Sequence, residues 1–163
     1  MRPHLLAQGR SSAFSAVEVL IALAIIGIVS GLALTQFGGI SDSAQASVSA
    51  SRIEGLNRAL FQFEQINWEL NVTPTGTATE EEAILMTLQW DDGVMMGAPY
   101  YRADWIPEKD NDSETHRIKW NGSVFVPLVP GDDGYGLVVN FEGTDTGTAR
   151  TFPADYEPLG TAP

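Results

Sequence analysis

Few residues of this chain have the type and spacing that chemistry requires. Glu18 is the single charged residue in the apolar run from Ala13 to Leu34. A carboxylate in such a run is costly to desolvate, so it needs a partner or a task. The loop Glu108-Lys-Asp-Asn-Asp-Ser-Glu114 offers a second set. Its Asp110, Asp112 and Glu114 are candidate calcium ligands, because calcium takes carboxylate oxygens. The loop lacks a full Asp-x-Asp-x-Asp-Gly pattern, and acidic loops ordinarily just solvate, so no metal site is assigned. Asp91/Asp92 and Asp132/Asp133 are paired carboxylates, but each pair precedes a glycine, which is turn chemistry.

No catalytic constellation emerges. His116 is the one histidine beyond His4. There is no nucleophile elbow, phosphate loop, dinucleotide fingerprint or histidine-containing metal spacing. The absence of cysteine excludes a disulfide scaffold, a thiolate metal site and a cysteine nucleophile. A net charge of -12 repels phosphate backbones and argues against a nucleic-acid partner. The expectation is a protein that is not an enzyme and carries no cofactor, calcium being the one candidate.

The element that must position Glu18 is the apolar run itself. As a helix it spans roughly 33 Å, against a hydrocarbon core of roughly 30 Å. Arg2, His4 and Arg10 precede it and the next base is Arg52, which places the N-terminal end in the cytoplasm and the rest across the membrane. Three readings compete. A secretory signal could be cut after the run, at the small residues of Gly31-Leu32-Ala33, though the run exceeds the roughly 7 to 15 residues usual for one. The run could be an uncleaved anchor. Or a leader could be cut on the cytoplasmic side, leaving the helix in place. Gly27 and Gly31 form a small-x-x-x-small pair that lets helices approach closely, although glycine is frequent in membrane helices anyway.

The stretch Ala13-Phe-Ser-Ala-Val-Glu18-Val-Leu-Ile-Ala-Leu-Ala-Ile-Ile-Gly27-Ile28 resembles the start of type IV pilins and type II secretion pseudopilins. The resemblance implies cleavage by prepilin peptidase between Ala13 and Phe14 and N-methylation of Phe14, which makes Glu18 the fifth residue of the mature chain. Ala13 departs from the usual glycine. The resemblance covers about thirty residues and not the head of the chain. It implies that Glu18 neutralises the ammonium of a neighbouring subunit's Phe14 in an apolar fibre core, where each charge alone would be desolvated. The bland alternative has Glu18 snorkelling at the interface.

Beyond the run, Gly38-Gly39 weakens a helix by about 1 kcal/mol per glycine relative to alanine. The pair is a candidate soft point, or else a linker. Residues 41 to 70 read as helix, with Ile53, Leu56, Leu60, Phe63 and Leu70 forming an apolar stripe that a sheet should cover. Residues 71 to 79 read as loop. Thr79-Glu80-Glu81-Glu82 fits a capping box opening a short helix to about Trp90; the same acids could hold a cation, a less ordinary use. Arg117–Trp120 and Ser123–Val126 flank Asn121-Gly122 as a two-residue hairpin, with Pro127 ending the ladder or marking an edge. Leu137–Phe141 adds a third strand, making an antiparallel meander, and the tail from Gly143 reads as loop. Tyr100, Tyr101, Trp105 and Trp120 could form a binding face; in so small a head they are more often core.

The expected fold is α+β, a long N-terminal helix packed on a small antiparallel sheet. The parts are a leader (1–13), a transmembrane assembly helix (14–37), its amphipathic continuation (38–70) and an α/β head (71–163). The resemblance implies a pilin-like or pseudopilin-like structural subunit of a periplasmic fibre; it does not choose between secretion, adhesion, twitching and DNA uptake, and a type II secretion system is the preferred assignment. It would be single-pass in a bacterial inner membrane, with the N-terminus cytoplasmic and the head periplasmic. Its partners would be other pilin or pseudopilin subunits, prepilin peptidase, an inner-membrane assembly platform and membrane lipid. The alternative is a membrane-anchored periplasmic binding domain that does not polymerise; a tethered hydrolase has only generic residue content behind it.

Overall fold

The computed structural model describes residues 15–91, 93 and 98–160, and of residues 34–41 the backbone only. The chain is α+β. Helix α1 (Ala16–Ile66) and helix α2 (Thr79–Gln89) are followed by strands β1 (Lys109–Asp110), β2 (Arg117–Trp120), β3 (Phe125–Leu128) and β4 (Gly136–Val138). It divides into two compact units, Met1–Ser41 and Asp42–Pro163.

In the first unit, α1 is long and apolar enough over Ala16–Ala33 to cross a membrane, and no residue of that span is buried. Leu20, Leu23, Ile26 and Ile28 are each more than half exposed. In water such a surface would be driven out of contact with solvent.

In the second unit, α1 behaves as an amphipathic helix. Ile53, Leu56, Leu60 and Phe63 recur at spacings of three and four, and all are buried, as is Ala59. Trp105, Trp120, Phe125, Leu137 and the α2 residues Ile84, Leu85 and Leu88 complete this core. Leu70 is also buried, but not as part of the helix, which ends four residues before the pattern suggests. The backbone N–H and the side-chain Nδ2 of Asn67 both donate to the Phe63 carbonyl, at 2.8 and 3.2 Å. The next amide, Trp68, turns to the carbonyl of Gly160 at 2.7 Å. Asn67 thus satisfies a carbonyl that the terminated helix leaves open.

The capping box expected at Thr79–Glu82 does not form. Ala78 occupies the cap position and no side chain caps the helix. All three carboxylates have other partners. Glu80 accepts from the Thr75 amide at 2.9 Å and from the Thr75 hydroxyl. Glu81 accepts from the Trp120 amide at 2.7 Å. Glu82 pairs with Lys109 at 2.5 Å and lies 3.8 Å from Arg150. Contacts with the surrounding chain outcompete the local motif.

The sheet also departs from the expected meander. Its order is β1-β4-β2-β3, and every pairing is antiparallel. β4 pairs with β2 and not with β3, and is shorter than Leu137–Phe141. β1 forms within the acidic loop, pairing Lys109 with Leu137 and Asp110 with Gly136. The β2–β3 connection is wider than two residues, because Trp120 pairs with Phe125. The Asn121 Oδ1 atom accepts from the Ser123 and Val124 amides at 3.0 and 2.9 Å, closing the turn with its side chain. This shift sets the Trp120 and Phe125 rings 5.5 Å apart, edge to face. Pro127 lies inside β3, where its missing N–H is tolerated because β3 is an edge strand. Gly136 admits no side chain, since a Cβ there would sit 2.8 Å from the Ile118 carbonyl oxygen.

The segment after Gly143 has no regular secondary structure among the described residues, apart from a bridge between Trp105 and Thr146. It is nonetheless tied down. Arg150 Nε donates to Gln89 Oε1 at 3.0 Å, and the Leu159 amide donates to the Thr87 hydroxyl at 3.0 Å.

Candidate functional site

The start of α1 is built from two residues. Ser15 precedes the helix, and its Oγ accepts from the Glu18 amide at 3.2 Å. The Glu18 Oε2 atom accepts in return from the Ser15 amide at 3.0 Å. This is a capping box, and it satisfies two donors that the helix start would otherwise leave open. A carboxylate in the first turn also suits the positive end of the helix dipole. The sequence carries its signal as Ser15-x-x-Glu18 just before an apolar run.

Gly27 and Gly31 lie one turn apart on the exposed span. A Cβ added at either would meet nothing within 4 Å. Among the described residues nothing packs over either glycine. Gly38 and Gly39 lie within the helical range of α1. Ala13 and Phe14, the expected processing residues, lie outside the described residues.

The acidic loop does not gather its carboxylates. Asp110 Oδ1 accepts from the Asn111 and Asp112 amides at 2.7 and 3.3 Å, and Asp112 Oδ1 accepts from the Glu114 amide at 3.0 Å. Asp110 and Asp112 thus close turns on their own backbone. Among the described residues, no three His, Asp or Glu side chains converge as a metal group. Asp91 and Asp132 show the same habit, accepting from Gly93 N–H at 2.8 Å and Val129 N–H at 3.0 Å.

The four aromatic residues considered for a binding face belong to the core instead. Trp105 and Trp120 are fully buried, and Tyr100 and Tyr101 pack against the same cluster. Trp105 Nε1 donates to Asp145 Oδ2 at 2.7 Å. The Arg52 guanidinium stands 4.9 Å from the centre of the Trp105 ring and 3.8 Å from Asp145 Oδ1. No local signal in the sequence pairs Arg52 with residues so distant in the chain. Burial pushes the Tyr101 hydroxyl up, with the nearby Arg52 opposing that shift.

Two more polar groups are built into the head. Arg117 is fully buried and donates to the carbonyls of Thr115 at 3.4 Å, Asp132 at 2.6 Å and Gly134. It holds together the loop between β3 and β4. Glu81 is raised above the usual carboxylate range by burial, which the Trp120 amide bond only partly offsets. Glu80 is also penalised by burial, but its bonds from Thr75 outweigh that and hold it low. These groups link elements of the head.

A scan against protein-family models found no match, and neither a curated protein nor a solved structure matched significantly. The class supported directly is therefore an α+β chain with one N-terminal helix able, by length and composition, to span a membrane.

Proposed function

We propose that the chain is a pilin-like or pseudopilin-like structural subunit. Prepilin peptidase cuts it between Ala13 and Phe14, and α1 then packs against the same helix of neighbouring subunits in a periplasmic fibre of a type II secretion system. Before assembly the apolar span sits in the inner membrane, with its start cytoplasmic and the head periplasmic. An assembly platform in that membrane extracts it.

One observation carries this reading: a single helix joins a wholly unburied apolar surface, Ala16–Ala33, to one carboxylate in its first turn. Lipid covers the apolar part in the membrane, and neighbouring helices cover it in a fibre. The carboxylate then supplies the register, because an ammonium entering the same apolar environment is stabilised only opposite it. The open surface above Gly27 and Gly31 supports close helix approach in the same assembly.

The test is mass spectrometry of the amino terminus after coexpression with prepilin peptidase. The expected product begins at N-methylated Phe14. A terminus beyond Ala33 would remove the assembly helix and overturn the reading. Separately, Glu18→Leu is expected to insert in the membrane normally but fail to enter fibres.

A further inference from the structure

We propose that Ser15 is a positioning residue for Glu18, holding its carboxylate turned back over the helix start in the unassembled subunit. The proposal rests on the reading above, in which Glu18 meets a neighbour's ammonium. The Ser15 amide holds the carboxylate directly, through Oε2 at 3.0 Å, and restrains a side chain that otherwise turns about three single bonds. The Ser15 hydroxyl acts one step removed: by accepting from the Glu18 amide at 3.2 Å it fixes the backbone turn that aims the Ser15 amide at the carboxylate. A cation arriving at the helix start would therefore find Oε1 already in place, and the ordering cost would have been met before assembly.

A second consequence concerns the membrane. The first amides of a helix have no intrahelical acceptor, and in an apolar setting each unsatisfied group costs several kcal/mol. Ser15 and Glu18 satisfy one another's amides within a single turn. Glu18 thus has two separable roles. Its charge serves a neighbour, and its acceptor oxygen serves its own helix. Glutamine keeps the second role and loses the first; leucine loses both.

The experiment follows amide hydrogen exchange by NMR on the full-length chain in detergent micelles, alongside cross-linking of assembled fibres. In Ser15→Ala the Glu18 amide should exchange roughly fivefold faster or more. Fibre cross-linking should fall with it, and Ser15→Thr should restore both. Glu18→Gln should keep the Ser15 amide protected while Glu18→Leu should not. If Ser15→Ala leaves the Glu18 amide within about twofold of wild type, the capping box is refuted. If exchange rises but cross-linking does not change, the positioning role is refuted. Failure of the assembly reading appears elsewhere, as normal fibre incorporation of Glu18→Leu, because the exchange data come from unassembled protein.

Discussion

Replacing Asn57 by alanine should loosen the attachment of α1 to the sheet. Asn57 Nδ2 donates to the Phe125 carbonyl at 2.9 Å, and its Oδ1 accepts from the Phe125 amide at 2.8 Å. One side-chain amide therefore satisfies both main-chain groups of an edge-strand residue 68 positions away. With Pro127 two residues on lacking an N–H, this leaves β3 a poor template for an incoming strand. Each such bond contributes about 1 kcal/mol net, and a partner left partly buried without one costs somewhat more. Alanine should therefore cost about 2–3 kcal/mol. Asn57→Asp is the sharper variant. It keeps an acceptor for the amide but sets a carboxylate oxygen against the Phe125 carbonyl. It should be less stable than Ala at neutral pH and recover on acidification, when the protonated carboxyl can donate. The assay is urea unfolding of the full-length chain in detergent, read by the fluorescence of buried Trp105 and Trp120. A loss below about 0.5 kcal/mol for Ala, or Asp as stable as Asn at pH 7, would refute the reasoning.

Other variants test separate parts of the head. Glu81 has a folded-state pKa raised by burial, so its contribution to stability is full below the unfolded carboxylate value and is lost as pH rises through the folded value. Glu81→Gln keeps an acceptor for the Trp120 amide, so it should flatten that part of the pH–stability curve and be the more stable form at neutral pH; denaturation midpoints across a pH series check this. Arg117→Leu strips the donors from three carbonyls around a buried site and should cost about 3 kcal/mol or more, with earlier proteolytic cutting between Val129 and Gly136. Gly136→Ala forces a Cβ against the Ile118 carbonyl and should cost about 1–3 kcal/mol in the same unfolding assay. Gly27→Ala meets nothing within 4 Å and should leave the unfolding of the single chain unchanged, any effect appearing only in assembly.

The parts legible in the sequence are those written in short-range pattern. An apolar run interrupted by one carboxylate reads as a helix long and apolar enough to cross a membrane, with a charged start, whatever surrounds it. The spacing of Ile53, Leu56, Leu60 and Phe63 defines one face of a helix, and that face is buried. Asn121-Gly122 marks a turn because its conformation is set within a few residues, with Gly122 at φ 102°. The capping box at Ser15–Glu18 is equally local, its two bonds closing within three residues, but there the same carboxylate that reads as a lone charge also caps the helix.

What only the tertiary structure decided was the choice among partners far apart in the chain. Thr79 and Glu82 had the spacing for a cap, but Glu80, Glu81 and Glu82 bind Thr75, Trp120 and Lys109. The strand order places β4 beside β2, and Arg52 meets Trp105 and Asp145, neither pairing having a trace in local spacing. The physical reason is the range of the forces involved. Helical and turn propensities act over a few residues, and any window of sequence contains them. A buried hydrogen bond or ion pair depends on which groups the whole core leaves unsatisfied, and that is settled only when the chain has closed around them.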